Sequence, residues 1–136
     1  MITSKIIYKD GLSTEATHVR SSKTLMTDAP VDNNGQGAAF SPTDLVATAI
    51  GSCMLTIMGI RTQKEGIDLA GTQVEVTKIM ASNPRRISEI KVLVQFPKGL
   101  EVTDAQKETL LGATKDCPVC NSLHPDLRVD VQVAYL

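Results

Sequence analysis

Residues 41–66 read SPTDLVATAIGSCMLTIMGIRTQKEG, and this stretch decides the fold. Ser41 offers a hydroxyl able to cap a helix whose first residue, Pro42, needs no amide partner there. Asp44, three residues after the cap, supplies the acidic half of a capping box, and Phe40 and Leu45 occupy the two positions of a hydrophobic staple. The helix is predicted to run to about Glu65, where Gly66 stops it. At 1.5 Å per residue its length is roughly 36 Å. Its first four turns are apolar nearly all round, which predicts burial on most sides. The uncharged run from Leu45 to Ile60 has 16 residues and carries Thr48, Gly51, Ser52 and Thr56. That falls short of the roughly 20 residues of a membrane span, so it reads as a buried core helix.

Short strands are expected on the N-terminal side. Ile2, Ile6, Ile7 and Tyr8 precede a turn at Asp10-Gly11, a second run reaches Val19, and Lys23 to Thr27 forms a third. Asp28 to Ala39 is a loop by its Pro, Asn and Gly content, placed to border a site. After the helix, Val74, Val76 and Met80 alternate with Gln73, Glu75 and Ile79. Ile90, Val92, Val94 and Phe96 alternate with Lys91, Leu93 and Gln95. Asn83-Pro84 marks the turn between these two strands. A second helix is predicted from Thr103, with a Thr103…Gln106 capping pattern, to about Lys115. A short one follows from Asp116-Cys117-Pro118 to near His124-Pro125, and a last strand carries Leu127, Val129, Val131, Val133 and Tyr135. The order predicts an α+β fold, a mainly antiparallel sheet packed on a long buried central helix.

The length, 136 residues, fits one domain spanning 1–136. Fourteen Lys+Arg nearly cancel 15 Asp+Glu, and the net charge of −1 argues against a nucleic-acid partner, which needs a basic surface. With no Trp, two Tyr and two Phe, base stacking has no platform either. The core must therefore be aliphatic, with less area buried per residue, and dimerisation would supply the missing burial. Charge arrives early in Met1 to Asp10, so no secretory signal is expected and neither is a membrane association; the expected compartment is the cytoplasm. There the three cysteines, an odd number, do not form a disulfide framework.

Cys53, midway along the helix, reads either as a small core hydrophobe or as a reactive group. Gly51-Ser52 stands against the first reading, because Gly is costly within a helix and small residues leave room for another backbone or a small substrate to approach. Cys117 lies in a helix-start signature, where the positive end of a helix dipole favours a thiolate, opposed in part by Asp116. Cys117-Pro118-Val119-Cys120 is also a C-x-x-C. Three readings stand: a redox dithiol; half a zinc site, with His124 the only nearby further ligand; or one functional cysteine beside an incidental one. No cofactor and no metal are expected.

Ser41-Pro42-Thr43-Asp44-Leu45 and Ala49-Ile50-Gly51-Ser52-Cys53, with Asp116-Cys117-Pro118-Val119 following, resemble the OsmC/Ohr family over nearly the whole chain. That family comprises thiol-dependent peroxidases of organic hydroperoxides and related osmotically induced proteins. The resemblance implies an intertwined homodimer of α+β subunits with central helices at the dimer core and active sites at the subunit interface. It also implies that Cys53 is the peroxidatic thiolate and Cys117 the resolving thiol, with a small organic hydroperoxide as substrate and a lipoyl-type dithiol as reductant. The family's peroxidases carry a Glu directly after the helix-start Pro, where this chain has Thr43. Asp44 and Cys120 are the auxiliary candidates. No arginine matches the one that partners the thiolate, Arg20 being the only arginine ahead of Cys53. These departures motivate an alternative, a non-catalytic or weakly catalytic dimer that binds a small apolar ligand at its interface.

Overall fold

Three short strands begin the chain: β1 (Ser4–Asp10), β2 (Ser13–His18) and β3 (Thr24–Asp28). They form an antiparallel sheet in the order β1-β2-β3. The structure, a computed structural model, describes residues 1–136. It divides into two compact units, Met1–Val46 and Ala47–Leu136. In the first, Asp10, Gly11 and Leu12 take the left-handed conformation that turns β1 into β2. The loop after β3 contains one 3-10 turn, Val31–Asn33, and is tied down where the Asp28 carboxylate accepts the amide of Ala38 at 2.8 Å.

Helix α1 (Pro42–Thr62) follows, extended by a 3-10 turn over Gln63–Glu65 and ended by Gly66 at φ 69°. Its start has the predicted capping box. The amide of Asp44 donates to Ser41 Oγ at 3.1 Å, and the amide of Ser41 donates to Asp44 Oδ2 at 2.9 Å. By length and composition, Pro42–Glu65 could cross a bilayer. Its side chains explain its apolarity otherwise, because Ala47, Ile50, Met54 and Met58 form a buried stripe in the core of the second unit. Burial on most sides was the expectation, and within one chain it is corrected to this single stripe: Ser52, Thr56 and Ile60 face outward.

The second unit has its own sheet, β4 (Gln73–Ala81), β5 (Arg86–Phe96) and β6 (Arg128–Tyr135), in that order. β4 and β5 pair antiparallel across the Asn83-Pro84 turn, with a bulge at Ile79/Met80. β5 and β6 pair in parallel, because α2 (Asp104–Lys115) and α3 (Pro118–Asn121) carry the chain back before β6 begins. The α+β class stands, realised as two three-stranded sheets, the second of them mixed. Central β5 contributes Ile90, Val92, Val94 and Phe96 to the core, against the α1 stripe and Leu110 and Ala113 of α2. At the open end of β6, Tyr135 stacks on Phe96 with ring centroids 4.8 Å apart and receives the Lys107 ammonium on its ring.

Candidate functional site

Cys53 lies beside the buried stripe of α1, one residue before Met54, and is therefore half-buried. Cys117 reaches the same place from the other end of the unit. Helix α2 stops at Lys115, and the chain turns and restarts at Pro118, leaving Cys117 extended (φ −73°, ψ 112°) at the cap of α3. Its side chain is fully buried, 0% exposed. Pro118 begins the next turn without needing an amide partner, so the following amides point at whatever caps them. The amide of Cys120 donates to Cys117 Sγ at 3.3 Å. The Val119 backbone favours the thiolate of Cys53.

The three thiols converge on one another. Cys117 pushes the thiols of both Cys53 and Cys120 up, which makes it the centre of the cluster. Burial pushes the Cys53 thiol above its ordinary pKa, the hydrogen bond and charge of Cys117 push the same way, and only the Val119 amide opposes them. Cys120 is pushed up to about 12, first by burial, then by its hydrogen bond to Cys117 and by the charges of Cys117 and Cys53. No cation is among the groups acting on either thiol.

Some expected features take a different form. Helix α3 has four residues, so few aligned peptide dipoles stand behind Cys117, and the direct amide contact replaces a long dipole. Gly51 makes room for a neighbouring strand, as its small size allows. It lets α1 lie close on β4, where a Cβ would stand 3.0 Å from Val74 Cγ1 and 3.2 Å from Val76 Cγ1. The Asp44 carboxylate is engaged in the α1 cap. His124 turns its Nδ1 to the amide of Asp126 at 3.1 Å, and no group of three or more metal-ligating side chains forms.

Two contributors escape sequence reading. The Val119 and Cys120 amides are invisible in side-chain chemistry, although Pro118 signals that donors follow it. Arg61, in the last turn of α1, forms an ion pair with Asp116 directly before Cys117. A side chain at Gly112 would stand 3.4 Å from Arg61 Nη1, so the glycine gives the guanidinium its room. With side chains 32% and 64% exposed, the pair stabilises the chain by at most about 1 kcal/mol. Its effect on the site is to offset the carboxylate charge next to Cys117. No sequence signal links residues 61 and 116.

Two cavities adjoin the cluster's elements. One of about 350 Å³ runs between α1 and β4, lined by Thr48, Gly51, Ser52, Leu55, Thr56, Val74 and Val76. The other, about 320 Å³, is lined by Leu111, Thr114, Lys115, Cys120, Val129 and Val131.

Residues 35–132 match the family described as OsmC-like protein. A crystal structure from Psychrobacter arcticus 273-4, of a protein named for osmotic stress induction and a detoxification response, is 47% identical. It superposes with a TM-score of 0.92 over 98% of this chain and 96% of that one. An organic hydroperoxide resistance protein OsmC from Legionella pneumophila is 15% identical with a TM-score of 0.73, covering 98% of both chains. An organic hydroperoxide resistance protein from Elizabethkingia anophelis is 15% identical with a TM-score of 0.68, covering 100% of this chain and 98% of that one. These last two share the fold. Comparison with curated proteins returned no match.

Proposed function

We propose, from the premise that this chain belongs to the OsmC-like protein family, that it reduces organic hydroperoxides through Cys53 and Cys117. The family and the hydroperoxide-resistance proteins that share its fold support a peroxidase-like role. The observation that carries the finer reading is that Cys53 packs against the buried core containing Cys117, close enough for Cys117 to push the Cys53 thiol up. In this reading the Cys53 thiolate attacks the terminal oxygen of the hydroperoxide. The O–O bond breaks, the alkoxide takes a proton and leaves as an alcohol, and Cys53 becomes a sulfenic acid. The Cys117 thiol then condenses with it, forming the disulfide and releasing water, and a dithiol of lipoyl type restores both thiols. The Val119 amide supports the thiolate, and the nearness of Cys117 favours disulfide formation over further oxidation of the sulfenic acid. The working unit is a homodimer, and reduced thiols suit a cytoplasmic setting.

One observation favours the weaker reading, a dimer that binds a small apolar ligand. The Cys53 thiol lies above its usual range, so little thiolate is present at neutral pH. Hydroperoxide consumption separates the two. With tert-butyl hydroperoxide and dihydrolipoamide, the parent is expected to turn over and Cys53→Ser to lose activity. Cys117→Ser is expected to accumulate a sulfenic acid that dimedone traps on Cys53. Equal consumption by the parent and Cys53→Ser would overturn the peroxidase reading.

A further inference from the structure

Cys120 has no part in that cycle, yet it is the third member of the thiol cluster. Its amide donates to Cys117 Sγ at 3.3 Å. One helical turn joins the two residues, with Cys117 at the cap and Cys120 three positions on. The two neighbours differ in surroundings. Cys117 is sealed in the core, whereas Cys120 lines the cavity with Leu111, Val129 and Val131.

We propose that Cys120 is a relay thiol: once Cys53 and Cys117 are joined, it attacks the Cys117 sulfur, moves the disulfide to the Cys117–Cys120 pair and releases Cys53. This rests on the peroxidase reading above. The exchange balances without any further oxidant. Cys120 gives up its proton, a Cys117–Cys120 bond forms, and the Cys53–Cys117 bond breaks. The Cys53 sulfur leaves with the electron pair and takes up the proton. A dithiol reductant then attacks Cys120 Sγ from the cavity, Cys117 leaves as a thiol, and the reductant closes to its own disulfide.

The cluster makes the exchange conditional on oxidation. In the reduced state the hydrogen bond to Cys117 and the charges of Cys117 and Cys53 add to burial in keeping Cys120 protonated. Joining Cys53 to Cys117 removes those three influences, while burial, the largest, and an opposing backbone hydrogen bond remain. The exchange needs a disulfide at Cys117 for Cys120 to attack, and the 3.3 Å contact with Cys117 Sγ holds the Cys120 residue beside it. For Cys53, the consequence is an early return to the reduced state, before the reductant has acted.

Time-resolved disulfide mapping tests this on the full chain. The protein is oxidised with one equivalent of tert-butyl hydroperoxide or, without peroxide, with diamide, then quenched with iodoacetamide and digested. In both arms the 53–117 link is expected first, decaying as 117–120 grows and Cys53 becomes alkylatable again. In Cys120→Ser, and equally in Cys120→Ala, the 53–117 link is expected to live at least about tenfold longer. A 53–117 link equally long-lived in parent and variants, with Cys120 alkylatable throughout, overturns the relay and leaves the peroxidase reading intact. If Cys53→Ser consumes peroxide like the parent, the peroxidase reading falls. The diamide arm then decides the relay by itself, migration to 117–120 supporting it and a static 53–117 link overturning it.

Discussion

At Cys53 two opposing influences meet on one sulfur. Burial and the neighbouring Cys117 disfavour the thiolate, and the Val119 amide favours it, with the sum lying above the ordinary range. The sign has a direct kinetic consequence, because the thiolate is the nucleophile and its fraction grows with pH below the pKa. Alkylation of Cys53 is expected to be slower at pH 7 than that of an unperturbed thiol, climbing roughly tenfold per pH unit into the alkaline range. Cys120, pushed up to about 12, follows only at still higher pH. Mass-spectrometric footprinting with iodoacetamide measures both profiles, and a Cys53 rate already level below neutral pH would contradict this electrostatic account. Arg61 acts at the same scale but through another residue, holding Asp116 and offsetting its charge beside Cys117.

The elements show which local signals were sufficient. Ser41, Asp44 and Gly66 mark α1 by groups whose bonding partners lie within a few residues, and the observed helix begins and ends where those groups place it. The same holds for α2, whose cap has both Thr103–Gln106 hydrogen bonds, at 2.9 Å and 3.2 Å. Gly51 was a different matter. Mid-helix glycine announces that something comes close without saying what, and only the packed sheet identifies it as Val74 and Val76. For Gly51→Ala, helix propensity contributes about 1 kcal/mol in favour. Overpacking against stiff β-branched side chains costs roughly 1–3 kcal/mol. A net loss of about 1 kcal/mol in urea unfolding is expected, and a more stable variant would refute the close-packing explanation.

Across the whole molecule, one chain leaves much apolar surface uncovered. Ile60 on α1 is 57% exposed, and Ile6, Ile7 and Tyr8 of β1 are all exposed. Such surface on a chain with an aliphatic core fits the proposed homodimer. Sedimentation of the parent is expected to give a dimer. Ile60→Glu, which sets a charge on the outward face of α1, is expected to shift the equilibrium towards monomer and lower thermal stability. An unchanged dimer in that variant would remove α1 from the interface.

By itself the amino-acid order determined the succession of strands and helices, the cap and end of α1, and the two cysteines worth attention. These depend on periodicity and on hydrogen bonds that close within a turn. It also contained the C-x-x-C, but left three readings open, because the meaning of a thiol depends on its neighbours in space. The tertiary structure decided that the three cysteines gather at one core, that the Cys120 amide serves the Cys117 sulfur, and that Arg61 answers Asp116. It also decided the parallel pairing of β6 and the single buried stripe of α1. All of these are contacts between segments far apart in the chain, selected by shared burial in one core, and local propensity carries no information about them.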